Sequence, residues 1–60
     1  MDKSKFIMNL AANISLVSHS GVYFTVEEHE GEEPIMLGLG NYGQAQKYLN
    51  DTYPGKVIPV

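Results

Sequence analysis

The sequence predicts a single small α+β domain spanning residues 1–60, with elements in the order αββαβ. The expected sheet has three strands, mainly antiparallel, packed with two helices. Three observations carry this reading. Apolar residues recur at helical spacing between Ser4 and Val17, residues alternate strictly from Val22 to Glu28, and a paired capping signal at Asn41 and Gln44 precedes a second apolar stripe. Sixty residues leave room for one domain. A chain of that size buries only about 60% of the surface its unfolded form exposes. With no cysteine it has neither disulfides nor a thiolate metal site to offset the shortfall, which leaves self-association as the expected support.

In the first segment Phe6, Ile7, Leu10, Ala11, Ile14 and Val17 fall on one helical face, with Ser4 placed to cap the N-terminus. A competing reading makes Ile14 to His19 a strand that turns at Ser20-Gly21; the helix is preferred here. Val22, Phe24 and Val26 then alternate with Tyr23, Thr25 and Glu27, the pattern of a half-buried strand. A hairpin tip at His29, Glu30 and Gly31 leads past Pro34 into a second strand carrying Ile35, Leu37 and Leu39. The second helix buries Tyr42, Ala45, Tyr48 and Leu49 and stops before Pro54-Gly55, and Lys56 to Val60 forms a last short strand. Proline cannot donate to a ladder. Pro34 and Pro59 therefore assign their strands to the edges and the Val22 strand to the middle, giving spatial order 3-1-2.

Seven acidic residues face four lysines, arginine is absent, and the net charge is −3. Both features disfavour nucleic acid, for which Lys3, Lys5, Lys47 and Lys56 would have to converge. Lys3 and Lys5 ahead of Phe6, Ile7 and Met8 have the look of a signal peptide. Asn9 and Asn13 interrupt that apolar run, however, and no cleavage site follows it. The run is also too short and too polar to span a bilayer. The expectation is a cytoplasmic protein that keeps this segment and has no membrane association, consistent with the missing cysteines.

Gly38-Leu39-Gly40-Asn41-Tyr42-Gly43 matches G-x-G-x-x-G between a strand and a helix, where backbone amides approach a pyrophosphate in dinucleotide-binding folds. No second mononucleotide half follows, and the acid expected about twenty residues on is missing. The glycines are read as turn and packing positions, and no cofactor is expected. The two histidines, His19 and His29, lack metal-ligand spacing, and Ser4, Ser15, Ser18 and Ser20 lie outside any nucleophile elbow, so no catalytic or metal site is expected.

The most distinctive cluster is Glu27, Glu28, Glu30, Glu32 and Glu33 around His29 and Gly31, five carboxylates that repel one another unless a basic surface faces them. Read structurally, they are a solvated tip that protects a sheet edge; read functionally, they are a contact surface for another protein. Tyr23, on the opposite side of its strand from Phe24, is a candidate anchor beside them, because tyrosine is enriched at interfaces. A sheet face left open, or an edge strand, is a further candidate surface for a partner or a homodimer.

The ββαβ pattern of Val22 to Val60, with its acidic surface, resembles small phage-encoded proteins that inhibit host RNA polymerase. The likeness covers about two-thirds of the chain and implies a small inhibitor docking on a larger host machine. The sequence therefore points first to a non-enzymatic protein-interaction or regulatory module. The alternatives are an anion- or nucleotide-binding module using Gly38 to Gly43, and an oligomeric structural subunit.

Overall fold

The computed structural model describes residues 4–59; Met1, Asp2, Lys3 and Val60 lie outside them. Four strands run in order, β1 (Lys5–Ala11), β2 (Ile14–His19), β3 (Val22–Glu27) and β4 (Ile35–Gly40), followed by one helix, α1 (Tyr42–Thr52). The strands form a single antiparallel sheet in the order β1-β2-β3-β4. This corrects the αββαβ expectation: among the described residues the sheet has four strands, there is one helix, and the strand order is not 3-1-2.

The first correction lies in residues 4–17, read as a helix; residues 5–19 form a hairpin, and Ile14–His19 is the strand of the competing reading. β1 carries two irregularities. Phe6 and Met8 pair with Val17 and Leu16, leaving Ile7 as an extra residue, and Asn9 and Ala11 pair with Ser15 and Ile14, leaving Leu10 extra. Each bulge breaks the period-two alternation and sends its extra residue toward the core, where Ile7 and Leu10 both pack. With Ile14 they stand at i, i+3 and i+7, so two bulges three residues apart imitate a helical stripe. Ser4 precedes a strand and caps no helix. Ser20 (φ 53°) and Gly21 (φ 81°) close the β2–β3 hairpin, with the two positive dihedrals that a type I′ turn requires.

The second correction lies at the C-terminus. Residues 56–59 form no strand; they lie along α1, and a side chain replaces the ladder. The Gln46 amide accepts from the Ile58 N–H at 2.8 Å and donates to the Lys56 carbonyl at 3.0 Å, satisfying the backbone as a neighbouring peptide unit would. The Tyr42 hydroxyl donates to the Ile58 carbonyl at 3.1 Å. β2 takes the place beside β3 that had been assigned to this segment. Gln46→Ala removes both amide bonds from a partly buried site and is expected to lower stability by about 1–3 kcal/mol, read from the urea midpoint.

The third correction concerns which side of the sheet is covered. Pairing places residues in rows across the sheet. Met8, Leu16, Thr25 and Leu37 share one face, as do Lys5, Ser18, Tyr23 and Gly40. That face meets α1: Leu16 is fully buried and Thr25 nearly so, and they sit with Leu10, Ala45, Leu49 and Ile58 in the core. The Val22-Phe24-Val26 face is the one left open, and the face of Tyr23, read as a candidate contact anchor, is the covered one. Alternation shows that a strand has two faces but not which is covered. Here the helix decides: Gly40 pairs with Tyr23, so α1 starts directly across from it, and Tyr42 meets the Tyr23 ring edge-on at 6.2 Å.

The capping box forms as read. Asn41 Oδ1 accepts from the Gln44 N–H at 2.9 Å, and Gln44 Oε1 accepts from the Asn41 N–H at 3.0 Å. At the other end the Tyr53 N–H donates to the Leu49 carbonyl, and Gly55 (φ 93°) turns the chain back.

Candidate functional site

Two surfaces stand out. The first is the open sheet face. Its central row is Phe6, Val17, Phe24 and Gly38, flanked by Asn9, Ser15, Val26 and Met36 on one side and by His19 and Val22 on the other. No Asp, Glu, Lys or Arg stands in these rows. Phe6 and Met36 are 59% and 61% exposed, and Val22 is exposed as well. The domain measures 32 × 29 × 15 Å, a slab of one sheet under one helix, and among the described residues nothing covers this side.

The second surface is the acidic connection between β3 and β4, and it is folded back rather than free. The Glu28 N–H donates to the Asn13 carbonyl at 2.9 Å, tying the loop to the β1–β2 turn. His29 Nε2 lies 2.6 Å from Glu27 Oε2, and Asn13 Nδ2 lies 3.5 Å from His29 Nδ1. The tautomer with the proton on Nε2 suits both contacts: the ring donates to Glu27 and accepts from Asn13. A turn closes above them, with the Glu32 N–H donating to the His29 carbonyl at 3.1 Å and Gly31 at φ 79°. Glu27 is therefore half-buried and engaged, while Glu28, Glu30, Glu32 and Glu33 point to solvent. Among the described residues no lysine pairs with them.

Tyr23 is not brought to these acids. It lies at the other end of β3 from Glu27, on the helix-covered face, half-buried against Tyr42. Phe6 and Val17 join the open face and were hidden from sequence reasoning by the helical reading of residues 4–17. The signal that could have found them is the type I′ pair Ser20-Gly21, which fixes the β2–β3 register and sets Val17 beside Phe24.

The glycine loop has local work to do. Gly40 has φ 96°, and a Cβ there would run into the Gln44 side chain. Asn41 and Gln44 satisfy each other in the capping box, which takes up two of the backbone N–H groups at this helix start. Among the described residues there is no metal-binding cluster of acids, histidines or cysteines, no enclosed pocket, and no helix long and apolar enough to cross a membrane.

The fold and its surfaces thus define a four-stranded meander with one helix on one face and a neutral apolar face on the other. Comparison with protein-family models, curated proteins and solved structures found no match to the chain. The likeness to phage polymerase inhibitors rested on a ββαβ pattern, and its last strand does not form.

Proposed function

We propose that the protein is a small, non-enzymatic interaction module of the cytoplasm that regulates a larger protein by binding it through the open sheet face, with the acidic loop at one end of the contact. One observation carries this reading. A charge-free apolar surface holding Phe6, Val17, Val22, Phe24, Val26 and Met36 lies open, and exposed contiguous apolar patches on small domains mark interaction sites. Glu28, Glu30, Glu32 and Glu33 supply the charged border, which would steer a partner with a basic rim around an apolar centre.

The test is affinity capture from a native lysate with wild type, Phe6→Ser and Glu30→Lys/Glu32→Lys. Phe6 and the loop acids are exposed, so both variants are expected to stay folded by circular dichroism. A stoichiometric partner held by wild type, lost with Phe6→Ser and weakened with the double variant, is the expected result. A partner retained equally by all three, or no partner for any, overturns the proposal.

A further inference from the structure

The two outer strands of the sheet are built differently. β1 is interrupted by bulges at Ile7 and Leu10 and begins with Lys5. Bulges and lysines are devices that stop an edge from pairing with another chain. β4 has neither along its first part. Ile35, Met36, Leu37 and Gly38 pair in unbroken register with Glu27, Val26, Thr25 and Phe24, and the one irregularity comes after Gly38. The strand reads Ile-Met-Leu-Gly-Leu-Gly, without charge or proline.

Its exposed side chains point both ways. Ile35 and Leu37 belong to the helix-side face and Met36 to the open face, and the three are 55%, 47% and 61% exposed. A partner laid on either face would cover only one set. A strand added in the plane of the sheet meets both sets and also pairs the outward backbone groups of β4.

We infer that β4 is a self-association edge: two copies pair β4 to β4 antiparallel about a two-fold axis near Leu37, making one continuous eight-stranded sheet. In that register Leu37 faces its own counterpart, and Met36 lies opposite Gly38 of the second copy. A Cβ at Gly38 would have nothing within 4 Å, so there is open space for the methionine. Past Gly38 the irregularity ends the regular register, and the chain leads into a helix whose first turn holds no acid, at the end of the edge toward which the second copy's Glu33 lies. Carboxylates are favoured at that positive end of the helix dipole. The parallel alternative would set the two acidic loops side by side, where their charges repel. A second copy is therefore the occupant whose shape and charge this edge fits.

The contact is short and stands at the weak end of specific interfaces, on the order of 1,000 Å² or less in total. Sedimentation equilibrium should therefore span about 1 μM to about 1 mM protein. Wild type is expected to double in mass across that range. Leu37→Lys and Leu37→Glu should each remain monomeric with unchanged circular dichroism, because each places like charges against each other at the axis. An equimolar mixture of the two should recover the dimer. A wild type that stays monomeric, single variants that dimerise like wild type, a mixture that stays monomeric, or a dimer abolished instead by Phe6→Lys overturns the inference. Hydrogen exchange on wild type needs no variant. Amides of Ile35–Gly38 should gain protection with rising concentration while those of Lys5–Ala11 do not, and equal behaviour of the two edges overturns it as well.

Discussion

Ile58→Ala is expected to cost about 2–4 kcal/mol, the range for truncating a buried aliphatic side chain at a site that relaxes only in part. Ile58 is 1% exposed and, with Leu16 and Leu49, is one of three large side chains that are fully buried among the described residues. At about 0.05–0.15 kcal/mol per residue the whole domain holds roughly 3–9 kcal/mol, so this one change should leave it barely folded or unfolded. The loss exceeds the cavity, because Ile58 holds the terminal segment against α1. Once it loosens, the Gln46 amide and the Tyr42 hydroxyl give up their backbone partners too. Val57, 70% exposed, is the control, and Val57→Ala should stay within about 0.5 kcal/mol of wild type. Urea titration of both variants checks the claim. Equal midpoints would show that the segment does not dock.

Gly40→Ala is expected to cost about 2–4 kcal/mol, through two additive causes. The backbone at φ 96° is one an L-residue adopts only under strain, at about 1–3 kcal/mol. The added methyl would also run into the Gln44 side chain and displace the oxygen that accepts from the Asn41 N–H. Half the capping box then fails, at roughly another 1 kcal/mol. Gly38→Ala is the comparison. Its Cβ would enter open space and its φ is not positive, so stability should hold or rise by about 0.4–1 kcal/mol. The contrast also bears on the glycine motif: only one of these two glycines is required by the fold, and the requirement is local.

What the sequence made legible follows from the range of the forces involved. The capping box, the end of α1 before Pro54-Gly55, and the β3–β4 pair with Gly31 in its connection are short-range signals, and each was readable from residues within a few positions. The hairpin of β1 and β2 was not. Its bulges carry Ile7 and Leu10 inward three residues apart, and only pairing with β2 identifies them as bulges. The end of the chain failed for another reason. Val57 and Ile58 have strand propensity, but Gln46, ten and more residues away, takes the Lys56 carbonyl and the Ile58 N–H that a ladder would use. The orientation of the sheet was equally beyond local reading, since Phe24 and Tyr23 are both credible inward residues and the position of α1 chooses between them. The acidic cluster was evident as composition. Its anchoring through Asn13, His29 and Glu27, and the separation of Tyr23 from it, depend on tertiary placement.

The two bulges in β1 also set a limit on growth. A sheet with two smooth edges can add copies at both and lengthen without end, whereas one with a single usable edge is finished once that edge is taken. An isologous contact made at β4 consumes the same patch on both copies and leaves only the kinked β1 strands outermost. Assembly then terminates at a pair. For a chain whose exposed strand reads Ile-Met-Leu-Gly, the irregularities at Ile7 and Leu10 would then separate a closed dimer from a fibre.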